Sequence, residues 1–305
     1  MSRRVLVTGA TGFIGRHTLA PLRERGFDVH AVTSGPLPPD AGARWHRADL
    51  LSDAGAGDVI AAVQPTDLLH LAWYTEHGRL WSAAENLDWV AATLRLARAF
   101  AGHGGRRAVV AGTCAEYRWD VPGPCVEDAT PLEPATLYGA CKNAVRATLE
   151  AASGELGMEL AWARLFSLYG PGEAPARLVA SVVASLLDRR RVATSDGLQI
   201  RDVLHLQDAA DALAALLEGE VTGAVNVGSG EGRPLLDVIT AIGGATGRGD
   251  LLDIGALPRR AGDPDELVAS AVRLRDDVGF SPAIGLEEGI ARTVRWWCTN
   301  SIDKG

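Results

Sequence analysis

The sequence is poor in the features that mark disulfide, metal-binding and membrane proteins. Its 305 residues include four cysteines, which form no Cys-x-x-Cys pair and no spacing typical of metal ligands. That usage is typical of reduced thiols in a cytoplasm, so we expect no metal site. No apolar run approaches the roughly 20 residues that a membrane helix needs.

Basic residues are also fewer than acidic residues. The chain has 30 Lys and Arg against 38 Asp and Glu, for a net charge of −8. This balance argues against nucleic acid or an anionic membrane as a partner. Residues 1–4 run directly into the first apolar segment and leave no room for a signal peptide, so we expect a cytoplasmic protein. The hydrophobic share of 47% is that of a soluble globular chain that can bury a core.

The stretch from Val5 to Gly15 predicts a phosphate-binding turn. An apolar run short enough for a buried strand leads into three glycines at a spacing of three and then into a helical pattern. Gly9 permits the tight turn, Gly12 lets a pyrophosphate approach the backbone, and Gly15 lets the helix pack close to the strand. The helix N-terminus and its dipole favour the phosphate charge. The predicted cofactor residues here are Gly9, Thr11, Gly12, Phe13, Ile14, Gly15 and Arg16.

Segments that fit strands alternate with segments of helical spacing as far as about residue 168, which predicts an α/β fold with a doubly wound parallel sheet. We predict that residues 1–168, with 200–225 returning to them, form a dinucleotide-binding Rossmann domain. Residues 169–199 and 226–305 are predicted to form a smaller substrate-binding region. Beyond residue 227, the pattern predicts loops and short helices up to Trp296 and Trp297.

The second predicted strand, Asp28 to Thr33, bears on the choice of cofactor. An acid at its end would bind the ribose 2′-hydroxyl of NAD, but the next residue is Ser34. Arg16 follows the third glycine at a position suited to a 2′-phosphate. These two residues favour NADP over NAD. Further along, Asp49 before Leu50 fits a hydrogen bond from the adenine amino group and equally fits a helix N-cap. The strand that begins at Asp67 leads into three more predicted cofactor residues, Leu71, Ala72 and Trp73.

A tyrosine and a lysine four residues apart carry the predicted chemistry. Tyr138 and Lys142 fall on one face of a predicted helix from Leu137 to about Gly154. A nearby ammonium favours the phenolate, which makes a tyrosine a usable acid or base near neutral pH. Lys142 is also predicted to donate to the ribose hydroxyls of the cofactor. This helix follows a strand that ends at Gly112 and Thr113, and it is the helix that a dinucleotide fold places next to the nicotinamide.

Taken together, these motifs resemble the extended short-chain dehydrogenase/reductase family, in its nucleotide-sugar epimerase/dehydratase branch. The resemblance rests on TGATGFIG at 8–15, HLA at 70–72, YGACK at 138–142 and RDVLH at 201–205, and it extends over nearly the whole chain. It implies that Thr113 hydrogen-bonds the reacting sugar oxygen, that Tyr138 is the acid/base and that Lys142 is its partner. It also implies that Arg201 contacts the substrate diphosphate, with Arg177 and Arg260 as further candidates.

Two departures from the pattern of that family reduce the number of reactions expected of this chain. Dehydratases of the family have Asp and Glu after the catalytic threonine, whereas this chain has Cys114 and Ala115, so dehydration is not expected. Ser167 stands where many members have an asparagine near the sugar. Cys114 and Ser167 complete the set of candidate substrate residues.

We therefore predict an NAD(P)-dependent oxidoreductase that acts on a nucleotide sugar. The favoured hypothesis is a 4-ketoreductase of a keto-deoxyhexose. One alternative is a 4-epimerase that keeps a tightly held NAD, and another is a Rossmann-fold sensor without catalysis. The apolar faces of the helices at 86–100 and 137–154 predict a homodimer.

Overall fold

The computed structural model describes residues 3–38 and 42–301. Its main feature is a seven-stranded, fully parallel sheet in the order β10-β6-β5-β4-β1-β2-β3. The strands along the chain are β1 (Arg4–Thr8), β2 (Asp28–Thr33), β3 (Arg44–Arg47), β4 (Asp67–His70), β5 (Arg107–Thr113), β6 (Glu159–Leu165), β7 (Ser167–Tyr169), β8 (Val192–Ala193), β9 (Ile200–His205), β10 (Gly223–Val227), β11 (Gly232–Pro234), β12 (Leu252–Asp253) and β13 (Glu266–Leu267).

Helices cover both faces of this sheet. The helices are α1 (Gly15–Glu24), α2 (Gly55–Val63), α3 (Glu85–Gly102), α4 (Leu137–Ser153), α5 (Leu178–Leu187), α6 (Leu206–Glu218), α7 (Leu235–Thr246), α8 (Val272–Asp276) and α9 (Leu286–Ser301). Helices α1 and α6 pack on one face, while α2, α3 and α4 pack on the other. The predicted α/β fold with a doubly wound parallel sheet is therefore correct.

The burial of β1 and β5 explains why their sequences are continuous apolar runs. Every residue of β5 is buried, as are four of the five residues of β1, because a parallel sheet with helices on both faces has no wet side. The strand order reverses between β1 and β4. In open α/β sheets, ligands bind in the crevice outside the carboxyl ends of the strands at such a point.

A second lobe lies after residue 165. It contains a mixed sheet in which β9 pairs with β7, β11 and β13, and a two-stranded sheet of β8 and β12. Helices α5, α7 and α9 pack together around a separate apolar core. Among the described residues, no helix has the length and apolar character needed to cross a membrane.

The structure differs from the sequence prediction at two places in this lobe. Strand β9, which the prediction returned to the Rossmann domain, lies in the mixed sheet, and the chain rejoins the large sheet with α6 and β10. The segment after residue 227 carries α7 and α9, of 12 and 16 residues, where only short helices were expected. The fully buried Val238, Ile242 and Ile290 anchor these two helices in a core of their own, a long-range contact that the local pattern does not reveal.

Candidate active site

The predicted phosphate-binding turn lies at the carboxyl end of β1, directly against the end of β4. Gly9 has φ +67°, and a Cβ there would lie 2.7 Å from the backbone nitrogen of Ala72. A Cβ on Gly15 would lie 2.1 Å from the Gly9 carbonyl oxygen. Both positions therefore need glycine, and the predicted cofactor residues after β1 and after β4 touch each other. Within the described chain, no side chain caps the N-terminus of α1 and its first turn has no acid, so the turn fits a dinucleotide pyrophosphate.

Thr113 and Tyr138 are brought together by the approach of α4 to the end of β5. Thr136 caps α4 by accepting from the Gly139 backbone nitrogen at 3.1 Å. A Cβ on Gly139 would lie 2.2 Å from the Ala115 carbonyl oxygen, so the glycine inside YGACK permits this close packing. The Thr113 side chain is hydrogen-bonded to the Tyr138 phenol. Two of the three predicted catalytic residues thus form one hydrogen-bonded pair.

Aromatic rings hold the Tyr138 side chain in place. Trp73 and Trp81 meet its ring edge-on, with centroid distances of 6.4 and 5.9 Å. The Tyr138 backbone nitrogen also donates to the Trp81 carbonyl oxygen at 3.2 Å. Trp119 contacts Trp81 in turn, at 6.2 Å between centroids. The loops after β4 and β5 therefore build an aromatic wall beside the phenol.

Lys142 is almost completely buried, with 3% of its surface exposed. Its Nζ donates to the Ala111 carbonyl oxygen at 2.8 Å and lies 3.8 Å from the centroid of the Trp73 ring. Trp73 is itself fixed, since its Nε1 donates to the buried Asn86 Oδ1 at 2.8 Å. Asn86 then donates to two backbone carbonyls before α3. Lys142 is one of only two lysines in the sequence.

Burial sets the charge of these groups. It lowers the pKa of Lys142 to about 7 and raises the pKa of Tyr138 above its ordinary value. The hydrogen bond from Thr113 and the charge of Arg177 act in the opposite direction on the Tyr138 pKa. Burial also raises the pKa of the Cys114 thiol to about 12, so this thiol is no base at neutral pH. At neutral pH Tyr138 is therefore a phenol and Cys114 a thiol.

Three predicted cofactor residues at the other end of the crevice are exposed. The Arg16 guanidinium donates to the carbonyl oxygens of Pro171 and Gly172, the latter at 2.7 Å. Ser34 follows β2 directly. Asp49 accepts from the Leu51 backbone nitrogen at 3.0 Å and so caps a turn, although helix α2 begins only at Gly55.

The predicted substrate residues lie in two groups. Arg177 stands at the start of α5 close enough to act on the Tyr138 charge, and the exposed Arg260 lies with its guanidinium 5.9 Å from the Trp81 ring. Half-buried Ser167 begins β7. Arg201 is buried and pairs with Asp263 at 2.8 Å, and it also donates to the Ile200 and Pro264 carbonyl oxygens.

Sequence reasoning missed the residues behind Thr113. Glu116, Trp162 and Arg164 are each less than 2% exposed, and Trp162 and Arg164 both donate to the Glu116 carboxylate under the end of β5. An acid and an arginine 48 positions apart give no signal of their pairing. A glycine directly before the predicted catalytic threonine was the available signal, because a Cβ on Gly112 would lie 2.1 Å from the Trp162 Nε1.

Comparisons with known proteins agree with the resemblance found in the sequence. Residues 5–228 match the model of the NAD dependent epimerase/dehydratase family. UDP-glucose 4-epimerase 4 of Oryza sativa subsp. japonica is 27% identical, over 98% of this chain and 91% of that protein. dTDP-L-rhamnose 4-epimerase of Burkholderia thailandensis is 29% identical, over 99% and 96%.

A solved structure extends the agreement to three dimensions. The UDP-glucose 4-epimerase of Thermus thermophilus in complex with NAD superposes with a TM-score of 0.85 at 28% identity, covering 97% of this chain and 99% of that one. Both the sequence relatives and this structure span the Rossmann domain and the second lobe.

Proposed function

The chain belongs to the NAD dependent epimerase/dehydratase family and is an NAD-dependent enzyme acting on nucleotide sugars, and on that basis we propose that it is a nucleotide-sugar 4-epimerase that retains its NAD. The observation that carries the proposal is the hydrogen-bonded pair of Thr113 and Tyr138, on the same helix as the buried Lys142. The 4-epimerases named among its relatives support the same reaction. A sensor without catalysis is excluded by the family.

In this proposal the Tyr138 phenol moves the proton at the sugar 4-oxygen. As phenolate it takes the proton from the 4-hydroxyl, and as phenol it returns it after the sugar has presented its other face. The Thr113 hydroxyl donates to the same oxygen and stabilises charge as it develops there. The Lys142 ammonium, held by Ala111 and Trp73, favours the phenolate and binds the nicotinamide ribose. Bound NAD supplies the hydride acceptor and donor for carbon 4.

We propose NAD rather than NADP as the cofactor. The sequence favoured NADP because Arg16 was expected to meet a 2′-phosphate. In the structure the guanidinium donates to the 171–172 turn in the second lobe, which gives it another role. The family is NAD dependent, and NAD is bound in the Thermus relative. The glycine turn and the loop after β4 would hold the pyrophosphate and the nicotinamide half.

Dehydration finds no support at this site. A dehydratase needs an acid/base pair beside the threonine, but Cys114 is a protonated thiol and Ala115 has no acid. Glu116 is the next acid along the chain, but behind the strand Trp162 donates to both its carboxylate oxygens and Arg164 to one of them.

A 4-ketoreductase is the second candidate, and two observations favour it. Ser34 offers no carboxylate to retain the ribose, so an exchanging cofactor fits the end of β2. Burial keeps Tyr138 a phenol at neutral pH, which is the form that protonates a reduced carbonyl. The two reactions differ in their hydride balance, and the test uses that difference.

The test is to incubate the purified protein with UDP- and dTDP-linked hexoses without added cofactor and to follow the two C4 configurations by NMR. An epimerase interconverts them, and mass spectrometry of the denatured protein finds about one NAD per chain. A ketoreductase does nothing in that assay, and oxidises NADH or NADPH in step with product only when a 4-keto nucleotide sugar is added. Failure of both assays would refute the assignment to carbon 4.

A further inference from the structure

The residues behind Thr113 form a buried charge pair that the proposed reaction does not use. Arg164 and Glu116 have side chains 1% and 0% exposed and lie 2.9 Å apart. Glu116 Oε1 also accepts from the Thr113 backbone nitrogen at 2.8 Å, and Trp162 Nε1 donates to both carboxylate oxygens. All of these bonds converge on one carboxylate, directly beneath the catalytic strand end.

Gly112 shows that the strand is built around this carboxylate. A Cβ at this position would meet Trp162 Nε1 at 2.1 Å and Glu116 Oε1 at 2.7 Å. Position 112 therefore has to be glycine. It lies between Ala111, whose carbonyl oxygen accepts from Lys142, and Thr113, which contacts Tyr138. The carboxylate is thus in contact with the same short segment that holds both catalytic partners.

We propose that Glu116 is a positioning residue, whose carboxylate fixes Thr113 from behind and supplies the negative charge that stabilises the buried Lys142 ammonium. The inference rests on the proposed function, because it takes Thr113, Tyr138 and Lys142 as the catalytic groups. Apolar packing alone would fill the space without a charge, and a buried ion pair is a weak source of stability. A charge next to a catalytic ammonium acts on its protonation.

The groups around Lys142 leave Glu116 as its acidic neighbour. His70 on β4 bonds Thr8 and Thr93, and burial lowers its pKa to about 3, so it is uncharged. Trp73 presents a ring face, and Tyr138 is a phenol at neutral pH. The charge of Glu116 raises the pKa of Lys142 against the effect of burial, which is the larger.

The Arg164 guanidinium bonds further groups besides Glu116. It donates to the Tyr117 hydroxyl at 2.9 Å and to the Glu127 carbonyl oxygen at 3.2 Å. Glu127 is a second carboxylate in this buried network, where it accepts from the Asn226 backbone nitrogen. Glu127→Gln is therefore a matched control that removes a buried charge from the same network but not from beside Lys142.

The scarcity of lysine permits a direct measurement. With ¹³Cε-labelled lysine the protein gives two side-chain signals, from Lys142 and Lys304, and Lys304→Arg assigns them. We expect Glu116→Gln to move the titration midpoint of Lys142 to lower pH and Glu127→Gln to leave it unchanged. This readout needs no substrate, so it separates failure of this inference from failure of the proposed function.

Activity gives the second readout. Glu116→Gln is expected to lower kcat up to roughly 100-fold through misplacement of Thr113, with KM for the nucleotide sugar nearly unchanged. The pH at which the kcat/KM profile breaks should fall together with the Lys142 midpoint, and Glu116→Asp should restore both in part.

The single variant leaves Arg164 without its counter-charge, so Glu116→Gln combined with Arg164→Gln is measured beside it. The double variant keeps the net charge and should still lower the Lys142 midpoint. An unchanged midpoint in either folded variant would overturn the proposal. If circular dichroism shows that neither the single nor the double variant folds, the Glu116–Arg164 pair serves only the stability of the core, and the proposal is overturned as well.

Discussion

Replacement of Tyr138 by phenylalanine tests the reaction centre directly. The change removes one hydroxyl and its hydrogen bond with Thr113, while the ring keeps its edge contacts with Trp73 and Trp81. Loss of general acid–base catalysis costs about 10²–10⁴-fold in kcat. At about 1.36 kcal/mol per tenfold, this is roughly 2.7–5.4 kcal/mol of transition-state stabilisation.

The same change should have little effect on the stability of the fold. One hydrogen bond contributes roughly 0.5–1.5 kcal/mol, which in a chain of this size lowers Tm by no more than about 5 °C. We expect kcat, from the C4 interconversion followed by NMR, to fall by that factor while NAD content stays near that of the wild type. Tyr169→Phe, at a buried tyrosine of the second lobe, is the matched control and should stay within about twofold. A Tyr138→Phe enzyme that keeps its kcat within about fivefold would refute the assignment of the acid/base.

Four further outcomes follow from the same geometry. The pKa of Lys142 is about 7, so the pH profile of kcat/KM distinguishes the two reactions. An epimerase starts from phenolate and ammonium, so its kcat/KM should rise up to tenfold per pH unit below pH 7 and then level off. A reductase needs phenol and ammonium, so its kcat/KM should be constant below pH 7 and fall above it. Arg260→Ala should raise KM for the nucleotide sugar at least about tenfold and leave Tm unchanged, because the exposed guanidinium is proposed to bind the diphosphate. Arg16→Ala should not change the preference for NAD over NADP in kcat/KM. Loss of that preference in the variant would mean that Arg16 selects the cofactor. Light scattering should give a homodimer formed through α3 and α4, and Leu87→Asp on the exposed face of α3 should give a monomer; a monomeric wild type contradicts this.

The phosphate-binding turn, the strand and helix periods and the spacing of Tyr138 and Lys142 follow from local sequence. The glycines at 9, 12 and 15 are set by the steric demands of one tight turn, and the strand and helix patterns of the Rossmann sheet repeat at periods of local origin. The spacing of Tyr138 and Lys142 likewise follows from one turn of helix. These features depend on neighbours in sequence, so the sequence alone determined them.

What surrounds those residues was decided only by the tertiary structure. Gly139 brings α4 against Ala115, and Glu116 meets Arg164 from another strand, because sheet pairing joins segments that are far apart in sequence. The sequence rules missed the acid behind Thr113 since they looked for carboxylates only at the two positions directly after it. The charge of Lys142 also depends on burial, which is a property of the packed molecule. Local sequence therefore determines which groups can react, and the fold determines their protonation.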